Sequence, residues 1–563
     1  MQRWNQHWKI VLLSILSLIL LPGMLSIAAA QPASESEANL AKTIDETLTQ
    51  TYKPNEPGAS VIVVKDGKVI LRKGYGMANL ELGVPVEPDM VFRLGSVTKQ
   101  FTAVAILMLA ERGKLSLDDD LTKFLPDYPT KGQKISIEHL LTHTSGIKNY
   151  TSLPEWLAAW RKDVTVKEIV DLFKDQPMDF APGEKWSYSN SGYILLGAII
   201  EKVSGQTYQD FMQQNIFTPL GMKHSHYDNT ARLIPRRVNG YSKTSEGYQN
   251  AAYLSMTQPF SAGALMSSVD DLALWDGALY TEKLVKQESL KRAWTPHLLN
   301  NNKSAHYGYG WSMSAYESHP IIEHSGGVNG FATYALRLPA DRIFVAILTN
   351  RDSMGPGAVA FKIAALALGK PYQEPAALSL PASQLDQYVG VYQLDETEEV
   401  IIRRDGEKLL ASLPGGGRAE IIPSSETQFF IRDSRTRLSF TKSTAGVSFV
   451  LRDRYGTDQV ARKTDKPVPA AQKEVTVDVA IYEAYVGEYE IAPNFTITIT
   501  KDGNKLMAQA TGQPKLELFP ESQTRFFVKE ASIQIEFVVD GSGKATSLAI
   551  YQAGQRVPAR KIK

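Results

Sequence analysis

The hydrophobic pattern changes character along this chain. Up to about residue 370, long apolar runs are bounded by glycine or proline; beyond that point, short runs rich in β-branched and aromatic residues alternate with tight polar turns. Ala38 to Tyr52 reads as a helix. Ala59 to Val64 and Val69 to Arg72 read as a hairpin, because Asp66-Gly67 suits the two-residue turn that matches the twist of paired strands. Gln100 to Arg112 is nearly all apolar (Phe101, then Ala103 to Ala110) and is stopped by Gly113, so the spacing predicts a buried helix. Tyr193 to Val203, stopped by Gly205, predicts a second one. Ile321 to His324, Ala332 to Leu338 and Ile343 to Thr349 read as strands, with Pro339-Ala340-Asp341 as a turn, and Ala358 to Leu368 as a closing helix. Together these imply the α+β class: one sheet flanked by helices, with a long helical insertion between its first and last strands.

Pro371 to Pro381 is a proline-punctuated linker, and the chain beyond it is a tandem repeat. Tyr388-Val389-Gly390 recurs as Tyr485-Val486-Gly487, Asp405-Gly406 as Asp502-Gly503, and Phe429-Phe430 as Phe526-Phe527, all at one constant offset. Each copy has several short strands, tight turns and aromatics, the pattern of a small antiparallel β-barrel. The expected division is residues 31–370 for the α+β domain, 378–465 for the first barrel and 475–563 for the second, linked through Thr464 to Val475.

Residues 1–30 look like a signal peptide: Arg3 and Lys9, an apolar run from Ile10 to Leu21, and Ala28-Ala29-Ala30 before Gln31. An uncleaved anchor is the alternative, since Leu25 to Ala30 lengthens the apolar segment past Pro22-Gly23. Cleavage predicts a secreted or periplasmic protein without a stable membrane span. It also removes two cations and no acid, turning a net charge of +1 slightly negative, so neither nucleic acid nor a membrane surface is an expected partner. There are no cysteines, which excludes disulfides, thiolate metal sites, a cysteine nucleophile and a lipid-modified cysteine. His139 and His143 have the spacing of a zinc pair but lack the accompanying carboxylate pattern, and Asp118-Asp119-Asp120 reads as a solvated turn. No metal or cofactor is expected.

Three motifs carry chemistry: Ser96-Val97-Thr98-Lys99, Tyr188-Ser189-Asn190 and His324-Ser325-Gly326. On a helix, residues three apart share a face, so the Lys99 nitrogen can reach the Ser96 hydroxyl. A serine needs such a partner to attack a carbonyl. Each pattern also has a decoy: Ser145-Gly146-Ile147-Lys148, Tyr248-Gln249-Asn250 and His306-Tyr307-Gly308. Context separates them for the serines. Ser96 opens the central apolar helix, whereas Ser145 is followed by turn residues with no helical period.

These residues resemble the superfamily of serine β-lactamases and penicillin-binding proteins, in its class C-like branch of peptidases and esterases. The resemblance covers about Ala38 to Leu368 and includes Leu140 to Gly146, Pro182-Gly183, Pro219 to Met222, Tyr309-Gly310-Trp311 and His324 to Gly327. It implies a β-lactamase-like antiparallel sheet with a helical subdomain, and an exported serine hydrolase acting through an acyl-enzyme on small amides, D-amino-acid peptides or esters. Ser96 is then the nucleophile, with Lys99 and Tyr188 as proton carriers whose division of labour stays open. Asn190, His324, Gly326 and Gly327 form the substrate-binding residues, with the oxyanion between the N–H groups of Ser96 and Gly327. His324 departs from the lysine usual at that position, and its unperturbed pKa of about 6.5 implies a partial charge that weakly attracts a substrate carboxylate. This makes the alternative, a β-lactamase or D,D-carboxypeptidase, less favoured. A catalytically retired cell-wall or ligand-binding protein is the alternative of another class. The D-aminopeptidase of this superfamily is similarly built, with two antiparallel barrels after its catalytic domain, and related archaeal peptidases carry a single lipocalin-like barrel there; the resemblance thus implies two lipocalin-like barrel repeats here, with a barrel loop near the cleft and residues 414–418 and 511–515 as candidates. Substrate identity and oligomeric state are open at this point.

Overall fold

Asp66 and Gly67 both adopt positive φ, 50° and 76°, which is the primed-turn geometry that lets the strands Ala59–Lys65 and Lys68–Tyr75 pair without splaying. The computed structural model describes residues 35–563 except 245, 354, 396–397, 414–417, 445, 470–473, 493–494, 512–514, 530–532 and 553–554; the signal segment lies outside the described residues. The hairpin belongs to a six-stranded, wholly antiparallel sheet. Its order is Ser312–Tyr316, His319–Val328, Phe331–Leu338, Ile343–Thr349, Ala59–Lys65, Lys68–Tyr75. Ala59 lies opposite Thr349, so the chain's first strand is zipped to its last one and the intervening helical segment is closed off as a subdomain.

Alternation along the first strand distributes its side chains to two cores. Val61 and Val63 pack with Ile44, Leu48, Ile347 and Ile363 beneath the terminal helices Glu35–Thr51 and Gly357–Leu368. Ile62 points the other way, toward Phe101, Leu348 and the helical subdomain. The central helix, Thr98–Glu111, is buried nearly throughout, as its unbroken apolar run requires. The helix Asn190–Ser204 ends at Gly205 in the left-handed conformation, φ 71°. It starts three residues earlier than the apolar pattern indicates, so Asn190 is its first residue rather than part of the preceding loop.

Two features of the sheet were not visible in the sequence. Ser312–Tyr316 forms the edge strand, and the strand predicted for Ile321 to His324 continues through Ser325-Gly326-Gly327 to Val328. The edge strand ends with Ser312 opposite Glu323, so it does not cover His324 to Val328.

Each repeat folds into a closed, eight-stranded antiparallel barrel. Their internal bonds repeat as the sequence does: the Tyr388 hydroxyl donates to Glu426 O and the Tyr485 hydroxyl to Gln523 O, while Tyr392 donates to Tyr388 O (2.8 Å) and Tyr489 to Tyr485 O (2.7 Å). The first barrel seats against the sheet's edge. Arg435 donates to Ala315 O at 2.9 Å and to Ser314 Oγ at 3.1 Å, and Lys362 pairs with Asp433 at 2.7 Å. The second barrel packs its strands Gly487–Ala492 and Phe495–Asp502 against the short helix Pro154–Ala159. Of the two candidate cleft loops, residues 414–417 and 512–514 lie outside the described residues. Among the described residues, no helix is long and apolar enough to cross a membrane.

Candidate active site

Gly95, at φ +53°, turns the chain so tightly that a Cβ there would come within 2.6 Å of Gly327 N. Only glycine permits this approach, and it sets the Ser96 backbone beside the uncovered part of the strand His319–Val328. The turn Gly95–Val97 is a 3₁₀ segment leading directly into the helix Thr98–Glu111. Ser96 is half-buried; Lys99, on the first helical turn, is fully buried. Lys99 Nζ lies 3.1 Å from Ser96 Oγ, 2.9 Å from Asn190 Oδ1 and 2.8 Å from Ala262 O. Burial holds its pKa well below the ordinary lysine value.

Asn190 is fixed from the opposite side. Its backbone N–H donates to Asn149 Oδ1 at 3.1 Å and its Nδ2 donates to Thr151 Oγ1 at 3.3 Å, which directs Oδ1 at the lysine. The ring of Tyr188 faces Lys99 Nζ at 4.7 Å from its centroid. Its hydroxyl is buried without a hydrogen-bond partner among the described residues. Burial raises the Tyr188 pKa, and an interaction with Ser96 opposes the shift only in part. Behind Tyr188 stands His143, with ring centroids 4.4 Å apart, its Nδ1 accepting the Ser189 N–H at 3.2 Å.

His324 does not carry the partial charge expected of it. It is 5% exposed, and its pKa is lowered to about 3, first by burial and then by Lys99, so the ring is neutral at physiological pH. Nδ1 lies 2.6 Å from Ser325 O, which can only accept, so Nδ1 carries the proton; Nε2 then accepts from the Tyr307 hydroxyl at 2.8 Å. Both nitrogens are engaged and neither is left for a substrate. Gly326 is required sterically, since a Cβ would meet Leu94 O at 2.0 Å and Thr333 Oγ1 at 2.3 Å, whereas one on Gly327 would point into open space.

Ser96, Lys99, Tyr188, Asn190, His324 and Gly327 are thus brought to one place, with Gly326 packing behind them. The decoys are elsewhere or otherwise occupied. Ser145 is buried, its Oγ accepts the Ile147 N–H at 3.3 Å, and Lys148 pairs with Asp179 at 2.8 Å. Tyr248 and Asn250 lie on the hairpin Tyr241–Thr244 and Gly247–Asn250 and bond to Glu56 and Glu81. His306 stacks on Tyr455 of the first barrel. Sequence reasoning missed Tyr307, Asn149, Thr151 and Ala262, which orient site residues from distant segments. His143 sits against Tyr188 instead of pairing with His139, whose Nδ1 accepts the Ser136 N–H. Among the described residues, no group of three or more His, Cys, Asp or Glu could hold a metal ion.

Residues 40–369 match the family model described as Beta-lactamase. The two repeats, 374–462 and 471–560, each match one described as Domain of unknown function (DUF3471). The chain is 31% identical over 450 residues to penicillin-binding protein 4* of Bacillus subtilis (strain 168), covering 75% of this chain and 98% of that protein. It is 28% identical over 339 residues to a D-aminopeptidase of Gluconobacter oxydans (strain 621H), covering 59% of this chain and 63% of that protein. Among solved structures, the octameric penicillin-binding protein homologue from Pyrococcus abyssi superposes with a TM-score of 0.54 at 27% identity, covering 75% of this chain and 99% of that one.

Proposed function

The chain belongs to the β-lactamase family of serine hydrolases, and on that premise we propose that it is exported and forms an acyl-enzyme on Ser96, hydrolysing small amides, D-amino-acid peptides or esters. The observation that carries this reading is the set of partners around Lys99. A neutral amine offers two N–H donors and one lone pair. Asn190 Oδ1 and Ala262 O can only accept, so they use both donors and leave the lone pair facing the Ser96 hydroxyl, as a base requires.

Attack of Ser96 Oγ on the substrate carbonyl passes its proton to Lys99 and moves charge onto the carbonyl oxygen. The N–H groups of Ser96 and Gly327 receive that charge. Tyr188, which burial keeps as the neutral phenol, relays the proton from Lys99 to the departing amine or alkoxide. Water then attacks the ester on Ser96 by the same route in reverse, releasing the acid and restoring the serine. Asn190 holds Lys99 and orients the acyl group; His324 and Gly326 shape the strand on which the substrate lies.

The similarity to a D-aminopeptidase and the loss of positive charge at His324 both support substrates of the D-aminoacyl amide or ester type. The longer match to a penicillin-binding protein favours the second reading, a D,D-carboxypeptidase or β-lactamase. On this reading the catalytic unit spans residues 31–370, residues 1–30 direct export, and the appended units are 378–465 and 475–563. Fluorophosphonate labelling followed by peptide mapping tests the assignment. Ser96→Ala is expected to abolish labelling and turnover, and Ser145→Ala to leave both; modification mapped to Ser145 would refute it.

A further inference from the structure

A cavity of about 260 Å³ lies where the strand His319–Val328 runs out into Asn329, at the opposite end of the uncovered stretch from His324. Phe331, which pairs with Val328, lines it. In the same pairing Gly326 lies opposite Thr333 and His324 opposite Ala335, so Phe331, Thr333 and Ala335 share one face of the sheet with His324. Thr333 Oγ1 donates at 2.8 Å to Leu94 O, at the start of the nucleophile turn. The cavity is therefore on the face of the sheet that carries Ser96. Asn329 Nδ2 donates to Ala252 O at 2.9 Å, which joins the end of the strand to the outer wall at Ala252 and Tyr253.

Among the described residues, two arginines line the cavity and no acid does. Arg93, on the short strand Phe92–Arg93 that leads into the nucleophile turn, donates from Nε to Asp228 Oδ2 at 2.8 Å, and its guanidinium lies 5.7 Å from the centre of the Phe331 ring. Arg237 Nη2 donates to the other oxygen of Asp228 at 2.8 Å and to Asn229 O at 2.9 Å. Asp228 is buried, so one carboxylate orients both guanidinium groups. It does not exhaust them. Arg237 Nε is buried without a hydrogen-bond partner among the described residues, and the terminal nitrogens of Arg93 have none there either. A buried N–H without an acceptor favours a ligand that supplies one. The acids next to the rim are turned elsewhere: Glu81 accepts from Asn250 at 2.8 Å, and Asp352 from Ser242 and the Gly330 N–H.

Direction along the cleft decides what reaches this cavity. Tyr188, the proposed proton donor to the leaving group, has its ring centroid 6.2 Å from that of His324, so the departing part of the substrate lies at the His324 end. The acyl part then runs the other way, from the carbonyl at Gly327 past Val328 to Asn329, a distance of about 7 Å at the rise of an extended strand. We infer that Arg93 and Arg237 bind a carboxylate on the acyl part of the substrate. This rests on the serine-hydrolase reading above and narrows its substrate class. The substrate is an amide or ester whose acyl part carries an acidic group about 7 Å or more beyond its carbonyl. Charge-assisted hydrogen bonds hold that group, from two guanidinium groups that Asp228 has already oriented.

The test uses two aryl esters of suberic acid with the full-length protein, one with the distal carboxylate free and one with it methylated. The readout is the ratio of kcat/KM on the free acid to that on the methyl ester. The wild type is expected to prefer the free acid, and R237Q to lower the ratio about tenfold or more, the size of one hydrogen-bonded charge. R237Q leaves Asp228 with one arginine, so a second variant guards against misfolding: Asn239→Asp puts a carboxylate on the exposed rim of the cavity and leaves Arg93, Asp228 and Arg237 intact. It should lower the ratio about threefold or more by repulsion, and Asn239→Lys should raise it. A wild type without preference, or a ratio unmoved by Asn239→Asp and by a folded R237Q, overturns the inference. Fluorophosphonate labelling and Ser96→Ala separate this from failure of the underlying reading. Hydrolysis that survives Ser96→Ala, or absence of labelling at Ser96, refutes the hydrolase reading and the inference with it. Labelling at Ser96 with neither ester hydrolysed, or Ser96-dependent hydrolysis with no discrimination, refutes the inference alone.

Discussion

Taking an ammonium group out of water favours the neutral amine, and at Lys99 burial is the cause of the lowered pKa, with no carboxylate opposing it among the described residues. The consequence for rate has a definite sign. Below its folded-state pKa Lys99 is protonated and has no lone pair for Ser96; above it, the base is available. kcat/KM should therefore rise with pH along a limb set well below the ordinary lysine value, as a pH–rate profile would record. Lys99→Arg keeps the charge and cannot release it, so a loss of about 10²–10⁴ is expected; retention of near-native activity would remove Lys99 from the role of base. At His324 the same physics has another effect. Its pKa of about 3 against an unfolded value near 6.5 means that the unfolded chain binds the extra proton first as pH falls. Stability from this residue is complete above about pH 6.5 and declines toward pH 3, by about 2 kcal/mol at pH 5 for a single group of this kind. Denaturant unfolding at pH 7 and pH 5, with His324→Gln as comparison, should show that difference shrinking in the variant. An unchanged difference would mean that His324 is not buried as a neutral ring.

Among the elements, the strand His319–Val328 is the most constrained, because the nucleophile turn presses directly on it. Gly326→Ala would drive a methyl group into Leu94 O and Thr333 Oγ1, both part of the seam that joins turn and strand. A loss of about 1–3 kcal/mol in stability is expected, together with loss of Ser96 labelling, whereas Gly327→Ala should unfold at the native denaturant concentration. Equal stabilities for the two variants would show that the seam yields. The contrast also marks what the sequence could and could not convey. Asp66-Gly67, Gly113 and Gly205 are local stop and turn signals, and the hairpin and both buried helices follow from them. The Ser-x-x-Lys pair is likewise local, since one helical turn sets its geometry. The edge strand Ser312–Tyr316 and the extension through Ser325-Gly326-Gly327 are not, because pairing with distant partners, not strand propensity, makes them strands. For the same reason no local pattern reveals that Tyr307 satisfies His324, or that Tyr455 meets His306 from another domain.

At the scale of the whole molecule, the two barrels contact different margins of the catalytic unit, and this predicts different outcomes when they are removed. The first barrel covers the edge strand, with Arg435 bonded to its backbone at Ala315 O and to its side chain at Ser314. An unprotected sheet edge is a template for aggregation. A chain ending after residue 370 should therefore associate or unfold at a lower denaturant concentration than one ending after residue 465, which keeps that cover. The second barrel instead packs on the helix Pro154–Ala159, which comes closely after Thr151, the partner of Asn190. Its removal should leave the sheet intact and loosen the acyl-binding margin, so that the chain ending after residue 465 accepts bulkier acyl groups with an altered KM and a native-like kcat on small ones. Size-exclusion chromatography and a series of acyl esters of increasing bulk would measure both effects. If the chain ending after residue 465 is monomeric and folded yet shows the full-length substrate profile, the second barrel does not restrict access. If the chain ending after residue 370 is equally soluble and stable, covering the sheet edge is not what the first barrel contributes.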